Sequence, residues 1–191
     1  STRTTSWAWS QRSLRWQGTA NPEFGTGDVL VSIRATALNR ADLMQRAGNY
    51  PPPPGAPDIL GLEMAGVVEE IGSGVKGWCK GDQVCALLPG GGYAERVAVP
   101  AAMLMPIPTG WTFAEAAALP EAYLTAFVNL YMEAALQPGE SALVHGGASG
   151  VGTAAIQLLA ATGNPVYVTA GSARKCTACR ELGATAAINY K

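Results

Sequence analysis

The stretch VHGGASGVG, residues 144–152, decides the fold. It leads from a short β-prone run, SALVH at 141–145, through a glycine-rich turn and straight into TAAIQLLAA at 153–161, a run of helix formers. Set against the pattern G-x-G-x-x-G, the turn puts Gly147 first, Ser149 in the middle and Gly152 last. A bare glycine match says little, but this one follows a strand-like run and opens a helix. The amides of Ser149, Gly150, Val151 and Gly152 are therefore expected to face a diphosphate, because unpaired N–H groups and the helix dipole favour negative charge there. The plainer alternative is a tight turn between strand and helix.

Working downstream, PVYVTA at 165–170 reads as a second strand, Ser172 to Leu182 as a helix closed by Gly183, and AAIN at 186–189 as a third strand. Strand, helix, strand, helix, strand predicts parallel βαβ units. An NAD site carries an acid about 20 residues past the glycine turn, at the end of the second strand, where it binds the ribose 2′-hydroxyl. Gly171 holds that place here, followed by Ser172, Arg174 and Lys175. No carboxylate repels a 2′-phosphate, and two cations and a hydroxyl stand ready for one, so the expected cofactor is NADPH. The alternative is that Arg174 and Lys175 are ordinary solvated residues of a first helical turn. After roughly two and a half βα units the chain ends, where a doubly wound fold has about six strands, so it reads as part of something longer.

Upstream the texture differs. DVLVSIRATAL, AGVVEEIG, DQVCALL and YAERVAVP are short β-prone runs separated by glycine turns, which predicts an all-β barrel or sandwich. At Thr112, followed three residues later by Glu115, a capping box opens two helical segments split at Pro120. The expected division is a β domain at 1–111 and the first part of an α/β nucleotide-binding domain at 112–191. The opening STRTTSWAWSQRSLRWQG has the basic, acid-poor flavour of an organellar transit segment, although the Trp7/Trp9 alternation suits a first β-strand equally well.

With 48% apolar and 14% charged residues in 191, the chain buries a substantial core. Thirteen basic and fourteen acidic residues leave a formal charge of −1, which favours neither nucleic acid nor an anionic membrane as partner. Four cysteines are too few for a disulfide scaffold of this length, and no apolar run reaches the roughly 18 residues of a membrane helix. The expectation is a reduced, cytoplasmic protein with a small-molecule ligand.

Several stretches together, ATALNRADLMQRAGNYPPPPGAP, ILGLEMAGVVEEIG, ALLPGGGYAERVAVP, AAALPEAYLTAF, GGASGVGTAAIQL and VTAGSARK, resemble the zinc-free, zeta-crystallin-like quinone oxidoreductase branch of the medium-chain dehydrogenase/reductase superfamily. Within it the likeness is strongest to the tumour-suppressor-inducible NADPH quinone oxidoreductases. The resemblance implies a GroES-like β-barrel domain followed by a Rossmann domain, here incomplete, with NADPH as hydride donor, a quinone or enone as acceptor, and a homo-oligomeric full-length form. It implies that Asn39 and Thr125 line the nicotinamide end, that Tyr50 stands at the substrate mouth, with Tyr50 and Asn39 the candidate catalytic residues, and that Gly171, Ser172, Lys175 and Tyr190 surround the adenosine 2′-phosphate. It also implies that Ser149 is a family variant whose hydroxyl helps to hold the cofactor. An enoyl or alkenal reductase, and a non-catalytic NADPH-binding protein, remain the alternatives.

Zinc is not expected. The catalytic ligands of the related alcohol dehydrogenases would align with Asn39, Leu62 and Glu121, and the chain has one histidine, His145, read as buried at a strand end. Cys176-x-x-Cys179 reads as two small residues on one helix face. Glu63, inside the apolar run ILGLEMAGVV, calls for a partner, because a carboxyl group within a buried strand is costly alone.

Overall fold

The computed structural model describes the backbone of residues 4–10 and 13–191, and side chains from residue 14 onward. Two compact units divide at Pro120, Ser1–Pro120 and Glu121–Lys191.

The first unit contains the strands β1 (Thr4–Ser10), β2 (Ser13–Thr19) and β3 (Asp28–Ala35), helix α1 (Arg40–Arg46), strands β4 (Glu63–Ile71), β5 (Gln83–Leu87), β6 (Arg96–Pro100) and β7 (Met105–Pro106), and helix α2 (Phe113–Ala117). β1 and β2 form an antiparallel hairpin in which Trp7 stands opposite Trp16, so the opening segment pairs as a strand. The other five strands form one antiparallel sheet in the order β6-β3-β4-β5-β7. Alternation explains its core. Val29 and Val31 of β3 sit in register with Val99 and Val97 of β6, so period-2 spacing puts all four on one face, with Met64, Val68 and Val84. Burying each such side chain contributes about 1.5–3 kcal/mol.

The capping box at Thr112 is present: the Thr112 amide donates to Glu115 Oε2 at 2.8 Å, and the Glu115 amide to Thr112 Oγ1 at 3.3 Å. The helix it opens, α2, packs its Ala116 and Ala117 against Ala65 and Cys85 of the first unit's sheet. It therefore lies within the first unit.

The second unit carries α3 (Pro120–Phe127), which continues as a π-helical turn over Val128–Glu133, then β8 (Ala142–Val144), α4 (Gly150–Ala161), β9 (Val166–Ala170), α5 (Ala173–Glu181) and β10 (Ala186–Asn189). Its three strands are parallel in the order β10-β9-β8, with α4 and α5 as the crossovers that parallel pairing requires. Ile156 and Leu159 of α4, Val166 and Val168 of β9 and Cys179 of α5 are fully buried together. The strand order is one half of a doubly wound nucleotide fold, a fold that binds its ligands outside the carboxyl ends of its strands. The alternation of strand and helix is as expected; the π-helical turn has no signal in the sequence.

Candidate functional site

The glycine turn is shaped by neighbours that leave no room for side chains. A Cβ on Gly147 would lie 2.6 Å from Val168 Cβ, and one on Gly152 would lie 2.5 Å from the Gly146 carbonyl oxygen. Gly147 donates its amide to the Thr169 carbonyl at 2.9 Å, and Thr169 Oγ1 stands 3.4 Å from the Gly146 amide nitrogen and 3.2 Å from His145 Nδ1. The end of β9 thus holds the turn in place, a role of Thr169 that sequence reasoning missed. Its only signal was a hydroxyl at a strand end.

Ser149 is the N-cap of α4. Its backbone is extended, with φ −82° and ψ 168°, and its Oγ accepts the Gly152 amide at 3.0 Å, while its own amide donates to the Gly146 carbonyl at 2.8 Å. The expected set of four anion-facing amides is corrected accordingly. Ser149 and Gly152 spend theirs within the turn; Gly150 and Val151, the first two helical positions, have no acceptor within the helix. Val151 and Gly150 are exposed.

Just past the end of β9, Gly171 stands against the Tyr190 side chain. A Cβ on Gly171 would lie 2.8 Å from Tyr190 Oη, and the Tyr190 amide donates to the Ala170 carbonyl at 3.2 Å. Ser172 caps α5, its Oγ accepting the Lys175 amide at 3.3 Å, and Arg174 and Lys175 lie exposed in the first turn. Cations in a first turn oppose the helix dipole, so nothing local favours them there.

In the first unit Asn39 is the N-cap of α1. Its amide donates to Asp42 Oδ2 at 2.7 Å, which also accepts Tyr93 Oη at 2.8 Å, and its side-chain Nδ2 donates to Glu63 Oε1 at 2.6 Å. Asp42, Glu63 and Tyr93 are all buried. Burial, and then the acceptor Asp42, push the Tyr93 phenol well above its ordinary range. The partner that Glu63 calls for is thus Asn39, a residue singled out separately. Tyr50 lies four residues beyond α1, its ring 45% exposed. Thr125 lies on α3 of the second unit, its carbonyl accepting Asn129 Nδ2 at 2.8 Å.

Of the three positions aligned with alcohol dehydrogenase zinc ligands, Leu62 has no donor atom and the Asn39 amide nitrogen is committed to Glu63. Among the described residues, no three His, Cys, Asp or Glu side chains come together as a metal site. These residues do not fit a catalytic zinc. His145 corrects an expectation: it is exposed, because β8 ends at Val144 and the ring stands beyond the last paired residue. Cys176 and Cys179 are both buried free thiols, and burial raises the latter's pKa. Among the described residues, no helix is long and apolar enough to cross a membrane.

Two family models match the chain: the alcohol dehydrogenase GroES-like domain over residues 25–109, and the zinc-binding dehydrogenase family over residues 150–191. The human synaptic vesicle membrane protein VAT-1 homolog is 42% identical over 177 residues, covering 93% of this chain and 45% of its own length. The chain therefore spans about half the length of the curated relatives it matches. Among solved structures, the quinone oxidoreductase of Thermus thermophilus, determined also in complex with NADPH, is 36% identical with a TM-score of 0.82, covering 99% of this chain and 60% of that one. The CurK enoyl reductase is 29% identical with a TM-score of 0.89, covering 100% of this chain and 60% of that one. A GroES-like β unit followed by Rossmann-type βαβ units, in the order these relatives have them, places the chain: it belongs to the medium-chain dehydrogenase/reductase superfamily, in its quinone oxidoreductase branch.

Proposed function

We propose that the chain forms the substrate-side domain and the first cofactor-binding units of a zinc-free, NADPH-dependent reductase of quinones or similar electron-poor conjugated carbonyls. The observation that carries this reading is the stretch that follows β9. Gly171 holds the place where an NAD site would carry an acid, Tyr190 stands against it, and Ser172, Arg174 and Lys175 form the cap and first turn of α5. The exposed first-turn amides of Gly150 and Val151 suit a diphosphate, and the small residues at 147, 152 and 171 keep side chains out of its path. When bound, NADPH supplies a hydride from C4 of its nicotinamide. The chain's own residues do the remaining work. Lys175 and Ser172 select the 2′-phosphate, Asn39 and Thr125 line the nicotinamide end, and Tyr50 or solvent gives the reduced acceptor oxygen its proton. Excluding water and holding donor and acceptor in contact account for the rate enhancement.

A second reading has its own support in the 0.89 TM-score to an enoyl reductase. The same edge would then serve reduction of an activated C=C bond. NADPH oxidation by the intact protein, followed across quinones, alkenals and enoyl thioesters, separates the two. Turnover confined to enoyl thioesters contradicts the quinone reading, and NADPH binding without turnover on any acceptor indicates a non-catalytic binder.

A further inference from the structure

Helix α1 is built inside out. Leu43 and Met44 are exposed, whereas the polar Asp42 and Gln45 are buried, at 3% and 7% exposure. Burying a carboxyl group and an amide costs stability unless their polar atoms find partners. Part of that need is met within the protein: Asp42 Oδ2 accepts the Asn39 amide at 2.7 Å and Tyr93 Oη at 2.8 Å. The rest is not. Among the described residues, neither Asp42 Oδ1 nor Gln45 Oε1 has a hydrogen-bond partner. Three residues apart on one helix, the two side chains are neighbours on the same face, with roughly 5–6 Å between their Cβ atoms.

A carboxylate oxygen and an amide carbonyl oxygen are both acceptors, so as oriented neither can satisfy the other. Two neighbouring buried acceptors need a donor with two hydrogens. We propose that Asp42 and Gln45 form an internal water site: one water molecule donates one hydrogen to Asp42 Oδ1 and the other to Gln45 Oε1. The water completes the shell of a carboxyl group whose second oxygen already holds the start of α1 and the Tyr93 phenol. Chemistry and burial decide against other occupants. Two oxygens fall short of the roughly six to eight that a hard cation such as calcium takes, and among the described residues no three His, Cys, Asp or Glu side chains gather as a metal site. Residues this deeply buried leave no way in for a ligand of small-molecule size. The site lies wholly within the first unit and is independent of the cofactor reading.

A high-resolution crystal structure of the intact protein tests this directly. The expected result is a water peak about 2.5–3.0 Å from both Asp42 Oδ1 and Gln45 Oε1. Gln45→Met supplies a second measurement, because it keeps the length of the side chain and removes its acceptor. With a water bridging the pair, Q45M loosens that water, leaves Asp42 Oδ1 poorly paired, and lowers the melting temperature by about 2–4 °C. Were Gln45 Oε1 an unsatisfied buried acceptor, deleting it would raise the melting temperature instead. The water site is overturned by a Q45M melting temperature equal to or above that of the wild type, or by the absence of a peak between the two oxygens. It is overturned equally by a Gln45 amide turned so that Nε2 donates straight to Asp42 Oδ1, or by an ion ringed by oxygens at about 2.3–2.6 Å. Should Q45M fail to fold, the wild-type diffraction decides alone.

Discussion

Ser149 Oγ accepts the Gly152 amide hydrogen at 3.0 Å. The residue that breaks the glycine fingerprint is thus the one that starts the helix, and the hydroxyl is spent inside the protein. A middle glycine would leave the Gly152 amide without its cap; a serine supplies it.

Removing this cap should cost stability in a graded way. Ser149→Ala is expected to lose about 1 kcal/mol and Ser149→Gly only a few tenths, because glycine tolerates the extended cap backbone and exposes the amide to water. Chemical denaturation of both variants checks this. Equal losses, or none in S149A, would mean that the hydroxyl does not hold the helix start.

Two other glycines separate fold from ligand binding. Gly152→Ala drives a methyl group into the Gly146 backbone carbonyl, which cannot swing away, and is expected to destabilise by about 2–3 kcal/mol. Gly171→Ala meets only the tip of the Tyr190 side chain, which is 64% exposed and free to turn, so stability should change by less than about 0.5 kcal/mol. NADPH affinity of G171A should nevertheless fall, as the displaced phenol leaves the 2′-phosphate cluster. Calorimetric titration and melting of the two variants test the split; a G171A protein that binds NADPH normally removes Tyr190 from the site.

Tyr50→Phe keeps the ring and removes the hydroxyl from a half-exposed position. Turnover should drop about ten-fold, less than for a sole general acid because water reaches the same place, while NADPH affinity stays unchanged. Stopped-flow kinetics at saturating NADPH measure it, and an unaltered rate removes Tyr50 from the proton path.

Arg96 pairs with Glu69 through two hydrogen bonds, Nε to Oε2 at 2.7 Å and a terminal nitrogen to Oε1 at 3.1 Å. That bonding holds the Glu69 carboxyl group below its usual range. A carboxyl group whose pKa is lower in the folded state stabilises above its unfolded value and loses that contribution as pH falls through the folded one. With both side chains partly in solvent, Glu69→Gln should cost about 0.2–1 kcal/mol at neutral pH, and the difference from wild type should shrink below roughly pH 4. Denaturation at several pH values reads both; a difference that grows in acid contradicts the pairing.

Where contacts are local, the sequence could be read. The Ser149 cap that starts α4, the Thr112–Glu115 box and the Ser172 cap of α5 each depend on residues three apart. Ser149 carried a readable cap signal as well, a serine at a helix start, but the fingerprint drew attention to a missing glycine. His145 differs from expectation by one residue of strand length: β8 ends at Val144, and the residue just past it is exposed. The Asn39–Glu63 pair spans 24 residues and the Gly171–Tyr190 contact 19, and such distances are set by sheet register and strand order, which alternation patterns do not encode.

The central claim is that this edge takes a phosphorylated dinucleotide in preference to its unphosphorylated counterpart. Isothermal titration calorimetry of the intact protein with NADPH and with NADH measures it directly. The account predicts binding of NADPH about ten- to hundred-fold tighter, a preference that Lys175→Ala largely abolishes by weakening NADPH alone. NADH binding as tightly as NADPH or more so, or neither binding, would contradict it.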